Sequence, residues 1–271
     1  MDDLERGYLI VAENTTDVDY IDCAIALARS IKLHTPTAKI ALMTSNEVNN
    51  DIFDYVVGLP FGDQAPDSKW KLKNDWQVFY ASPFRQTIKL EADMIIPHSI
   101  DHWWDMLQKK DVVVSVGARN YKNQITTDRT YRKLFDLNNL PDVYNAITYW
   151  RKSQTAKHFF DTVRDVFDNW DTIKKAIKGA EKDPGTTDVV YAIAAKLVGI
   201  ENVTLPNVSY PTMIHMKQSI NFLYDEDWTK EMVWELDRSR IRINTFNQMY
   251  PFHYHNKEFS KELNRYYEQF F

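Results

Sequence analysis

A chain of 271 residues with 33 Lys and Arg against 38 Asp and Glu carries a formal net charge of −5, which argues against a general polyanion binder. Its 44% hydrophobic and 26% charged residues suit an ordinary globular core and exclude wholesale disorder. No apolar run approaches the ~20 residues of a membrane helix, and the single cysteine, Cys23, excludes an intramolecular disulfide. The charged start Met1-Asp2-Asp3-Leu4-Glu5-Arg6 does not read as a secretory signal, so a cytoplasmic location is expected.

Residues 7–13 (GYLIVAE) read as a compact apolar strand, and 18–33 carry apolar positions at helical spacing before Pro36. Cys23 falls in line with Tyr20, Ala24, Leu27 and Ile31 on that helix, which gives it a packing role. Strands follow at 39–44 (KIALMT) and 54–59 (DYVVGL), a helix at 74–81 before Pro83, and strands at 86–90 (QTIKL) and 94–96. A helix at 101–107 and the strand 111–116 (DVVVSV) complete the first half. Near-continuous apolar strands separated by helices predict an α/β fold, Rossmann-like, with a mainly parallel sheet covered on both faces.

The second half is less regular. Residues 144–150 (YNAITYW) read as a strand and 153–170 as a strongly amphipathic helix. After the turn Asp183-Pro184-Gly185, Thr186 or Thr187 caps a helix reaching about residue 197. Strand patterns return at 212–216 and 240–246, and a charged, aromatic helix spans 258–271. No repeat, low-complexity tract or linker interrupts the chain, so residues 1–271 are expected to form one domain.

Chemistry is narrowed first by what is missing. The seven glycines nowhere approach G-x-G-x-x-G or G-x-x-x-x-G-K-[ST], so a nucleotide's phosphates would have to be met without a glycine-rich loop. Carboxylates holding a divalent cation are the substitute, and the segment QTIKLEADMII supplies Glu91 and Asp93 inside an apolar run. Buried acids are costly without a positive partner. In an extended chain residues 91 and 93 share a side and can address one ion. Oxygen ligands of this kind suit Mn²⁺ or Mg²⁺. A later run, Phe252-His253-Tyr254-His255-Asn256-Lys257, offers His253 and His255 as further ligands by the same alternation.

In this order the segments resemble GT-A glycosyltransferases, and FRQTIKLEADMIIPHSI is similar to the K-x-D-x-D stretch of the glycogenin-like family 8 enzymes. YLIVAENTT resembles their nucleotide-binding first strand, YNAITYWRKS their F-N-x-G strand, GTTDVVYAIA their acidic helix, and MIHMK the strand end that supplies a metal-binding histidine. The resemblance covers roughly residues 7–217. Glu91 stands where the family has Asp, and the glycine is missing from YNAIT.

The resemblance implies a metal-dependent transferase moving a sugar from a UDP-sugar to an acceptor. Val11, Ala12, Glu13, Asn14 and Thr15 would receive the nucleotide, Lys89 and Lys217 would face its phosphates, and Glu91, Asp93 and His215 would hold the metal, with His253 ranked next. Asp188 and Asn145 are the implied catalytic residues. Residues 1–120 form the donor half and 121–271 the acceptor half. The acceptor stays open among a glycan, a protein and a hydroxymethylated DNA base, the last by likeness to phage-type sugar transferases working in a host's cytoplasm. Basic runs at Lys69, Lys71 and Lys73, at Arg129, Arg132 and Lys133, at Lys174, Lys175 and Lys178, and at Arg238, Arg240 and Arg242 keep a phosphate backbone within reach. A sugar nucleotidyltransferase and a non-catalytic carbohydrate-binding protein on a degenerate GT-A scaffold are the alternatives.

Overall fold

The computed structural model describes residues 6–66, 71–128, 132–205, 211–237 and 240–271. The expectations attached to the first residues of the chain and to Lys69, Arg129 and Arg238 lie outside the described residues.

Among the described residues three sheets organise the molecule. The strands are β1 (Arg6–Val11), β2 (Ile40–Met43), β3 (Tyr55–Val57), β4 (Gln86–Glu91), β5 (Met94–Ile95), β6 (Val112–Val116), β7 (Ala118–Arg119), β8 (Ile125–Thr126) and β9 (Val143–Arg151). They continue with β10 (Ile214–His215), β11 (Trp234–Asp237), β12 (Arg240–Ile243), β13 (Phe246–Asn247) and β14 (Phe252–His253). The main sheet runs β3-β2-β1-β4-β9-β6, with β1 parallel to β2 and β4, and β9 antiparallel to both of its neighbours. A second sheet, β5-β14-β10-β7-β8, begins where β4 and β6 end, and β11-β12-β13 form a small antiparallel meander.

The strands follow the apolar runs because both faces of the main sheet are covered. All four residues of β2 are buried, as are eight of the nine in β9. One face receives the helix Tyr20–His34, whose Ala24, Leu27, Ala28 and Ile31 are buried. The other receives Gln154–Asp168, whose Ala156, Phe159, Phe160, Val163 and Phe167 recur at helical spacing. Ser153 starts that helix by accepting a bond from the Ala156 N–H at 3.1 Å. No helix among the described residues is long and apolar enough to cross a membrane.

Five local expectations change. The segment 74–81 is a 3₁₀ helix, Leu72–Gln77, followed by one α-turn, Val78–Ala81. Its polar side chains serve the preceding loop: Asn74 donates to Asp63 and Gln77 to the Gly62 carbonyl. Thr186 occupies its cap position, but its hydroxyl donates to Asp183 at 3.3 Å and caps nothing. The strand expected at 212–216 shrinks to Ile214–His215, and the C-terminal helix stops at Tyr267 before a 3₁₀ turn. The alternation expected at 91–93 fails too, because β4 ends at Glu91 and a turn carries the chain through Ala92 and Asp93 into β5.

Candidate active site

That turn builds the site. Register places Val11 of β1 beside Glu91, at the carboxyl ends of parallel strands, where open α/β sheets present ligands. Beyond the turn, β14 pairs antiparallel with β5, His253 opposite Met94, and the Tyr254 N–H donates to the Asp93 carbonyl at 3.1 Å. His253, 160 residues away in sequence, thereby meets the acids, with Nε2 2.9 Å from Asp93 Oδ2 and 3.7 Å from Glu91 Oε2. Ligand-capable atoms of Glu91, Asp93 and His253 lie within 4.8 Å of one another. Lys257 completes the ring of charge at 2.7 Å from Asp93 Oδ2.

Burial and charge set the protonation of this group. Burial works against the Asp93 carboxylate, but His253 and Lys257 overcome it and hold the group well below the usual carboxylate range. Glu91 goes the other way, pushed up by burial against the weaker pull of His253 and Lys89. Burial disfavours the His253 cation, yet Asp93 and Glu91 raise its pKa.

His215, ranked first for the metal in the sequence, is not in this group. It is the direct cross-strand partner of His253 and stacks on it with ring centroids 4.5 Å apart. Burial and the neighbouring His253 and His255 hold it far below the usual histidine value, and its buried Nδ1 has no hydrogen-bond partner. His255 does not continue the strand, since its φ of 62° turns the chain out of the extended form.

These residues sit in a cavity of about 370 Å³, within the range of small-ligand sites. Val11, Glu13 and Thr15 line one wall, and Lys89, Lys217 and Asp188 line others. Glu13 is fixed by Ser45, whose N–H and hydroxyl each donate to it at 2.5 Å. Ala12 is buried, and Asn14 holds the loop by accepting from the Ile21 N–H at 3.0 Å; neither lines the cavity. Lys217 is 3.5 Å from Asp128.

Asp188 reaches the cavity from the first turn of the helix Thr187–Val198 with both oxygens engaged. Oδ2 is 3.0 Å from the buried Arg132 guanidinium and Oδ1 accepts from the Asn145 N–H at 2.8 Å. Asn145 lies inside β9, with its side chain turned into the protein: Nδ2 donates to Asp75 at 2.9 Å, and Oδ1 accepts from Thr148 at 2.9 Å. Its amide is engaged within the protein, and Asn145 does not line the cavity.

Asp75 and Lys257 are the residues that the sequence reading missed. Asp75 lines the cavity, pairs with the buried Lys89 ammonium at 2.9 Å, and accepts from Tyr191 and Asn145. No spacing pointed to it, because its partners come from three separate elements. Lys257 had a signal, standing four residues after His253 in the late histidine run.

No family model and no curated protein matches the chain in sequence. Solved structures match it in fold. The galactosyltransferase LgtC, in complex with donor and acceptor sugar analogues, aligns with TM-score 0.56 over 97% of this chain and 95% of its own, at 11% identity. An active-site mutant of LgtC aligns with TM-score 0.55 over 96% and 95% at 12% identity. The apo glycosyltransferase GlyE of Streptococcus pneumoniae TIGR4 aligns with TM-score 0.51 over 98% of this chain and 63% of its own, at 10% identity. The fold is therefore GT-A, the mixed α/β architecture of these glycosyltransferases, as the sequence led us to expect.

Proposed function

We propose that this protein is a metal-dependent glycosyltransferase that takes a sugar from a nucleoside-diphosphate donor, UDP-linked, and passes it to an acceptor. The observation that carries the proposal is the convergence of Glu91, Asp93 and His253 in the cavity at the carboxyl edge of a GT-A sheet. Fold alone does not define an activity; the chemistry of the donor set makes the connection.

The set fits a divalent cation. Two carboxylates and an imidazole suit Mn²⁺ or Mg²⁺, and the half-buried Glu91 carboxyl, pushed up despite His253 and Lys89, would gain from the positive charge of an ion. Glu91, Asp93 and His253 would hold the ion, which when bound neutralises the leaving diphosphate. His215 stacks behind His253 and orients it.

The remaining steps belong to the chain's own residues. The nucleoside rests against Val11, Glu13 and Thr15. Lys257 and Lys217 add positive charge at the phosphates as the glycosidic bond breaks. Asp188 accepts hydrogen bonds from sugar hydroxyls and is steadied by Arg132. Asn145 acts indirectly, holding Asp75, which with Lys89 forms the charged floor under the sugar. Residues 1–120 receive the donor and 121–271 the acceptor.

Release of UDP from UDP-glucose, UDP-galactose and UDP-N-acetylglucosamine, assayed with Mn²⁺ and with EDTA, tests the reading. Hydrolysis of at least one donor, abolished by EDTA and reduced at least 100-fold in Asp93→Asn, is expected. Hydrolysis that ignores both would refute it.

A further inference from the structure

The acceptor half carries two aromatic rings in an unusual position. The short helix Gln218–Asn221 starts beside Lys217, and both Lys217 and Ile220 line the donor cavity. Its C-cap residue is Phe222, in the left-handed region with φ 57° and ψ 44°. Glycine ordinarily fills such a cap, and a bulky side chain there is strained. Phe222 gains no burial in exchange, being 86% exposed, and Tyr224 is 96% exposed. Leu223 between them packs against the core, and the Tyr224 carbonyl accepts from Gln218 Nε2 at 2.9 Å, which folds the loop back onto the helix.

A strained backbone that displays rings to water costs stability and contributes no packing, the pattern that marks functional positions. Phe222 lies two residues from Ile220, so its Cα is at most about 7 Å from the cavity wall. The surrounding charge selects the partner. Residues 222–231 hold Asp225, Glu226, Asp227 and Glu231 against Lys230 alone, four acids to one base. Polyphosphate is repelled by such a surface, whereas a neutral sugar presents an apolar ring face to an aromatic and hydroxyls to carboxylates.

We propose that Phe222 and Tyr224 form the acceptor subsite and that the acceptor is a neutral glycan rather than nucleic acid. The proposal deepens the glycosyltransferase reading and rests on it. Saturation-transfer NMR of the full chain with lactose, maltotetraose, cellotetraose and chitotetraose tests it, with a 20-base-pair duplex DNA as competitor and light scattering for self-association. Ring-proton signals from at least one oligosaccharide are expected. They should fall at least fivefold in the Phe222→Gly/Tyr224→Ala variant, with Tm at or above that of the wild type and UDP affinity unchanged. Glycine keeps the left-handed cap, so loss of signal is not loss of fold. No oligosaccharide signal, displacement by the duplex, or a dimer that dissociates in the variant would each overturn the proposal. Failure of UDP to bind either protein would instead count against the glycosyltransferase reading.

Discussion

At the residue scale the histidines differ more than their shared neighbourhood suggests. His255 is held down by burial to about 4, and His215 lies well below the usual value, whereas His253 is raised by its carboxylates. An unfolded His255 binds a proton near 6.5 that the folded one refuses until about 4. Stability is thus lost as pH falls through that window, by up to about 3 kcal/mol at its acid end. Replacing His255 with Asn, which tolerates the left-handed backbone there, should flatten the decline in Tm between pH 6.5 and 4. An unchanged slope in thermal melts across that range would contradict this. His253, raised by its carboxylates, contributes fully below about 6.5 and does not shape this window, whereas His215 slopes the same way as His255 in both proteins, so the comparison between variant and wild type is the informative quantity.

At the scale of elements, two contacts between neighbouring segments can be broken selectively. Gly7 of β1 lies under the Phe84 ring, which a Cβ would meet at 2.4–2.6 Å. Gly7→Ala should therefore destabilise by about 1–3 kcal/mol through overpacking, read as a lower urea midpoint. Lys89 and Asp75 join β4 to the 3₁₀ helix beneath the cavity. Lys89→Met strands a buried carboxylate and should cost about 3–5 kcal/mol, while the Lys89→Met/Asp75→Asn pair should recover much of it. A double variant no more stable than the single one would show that the pair is not a coupled unit.

The same scale shows what could be read from sequence. The parallel strands were legible because burial on both faces leaves an unbroken apolar run, as in β2, which pairs in parallel with β1 and β3. Glu91 and Asp93 were legible because acids inside such a run need a reason. The choice between His215 and His253 was not, because it depends on which strand pairs with β5, a long-range register that local spacing does not encode. Asp75 was invisible for a related cause: its surroundings arise only when β4, β9 and the helix Thr187–Val198 come together.

At the scale of the molecule, residues from the first and last parts of the chain meet in a common hydrophobic cluster. The cluster that contains Tyr8 and Leu27 also contains Trp228, Leu263 and Tyr267. The C-terminal helix Phe259–Tyr267 is tied to Tyr20–His34 by Asn264 Nδ2, which donates to the Asp22 carbonyl at 2.8 Å, and by Ser260, which donates to the Asp22 carboxylate at 2.5 Å. Differential scanning calorimetry should accordingly show one cooperative transition, and two separable ones would refute the single-domain reading. UDP with Mn²⁺ at about 100 times its dissociation constant should stabilise the whole by about 2.7 kcal/mol.

The most direct test of the central claim is calorimetric titration of UDP into the wild type and Asp93→Ala, with Mn²⁺ and with EDTA. Binding of the wild type that needs Mn²⁺ and disappears in the variant is expected. Equal binding under all four conditions, or none under any, would contradict it.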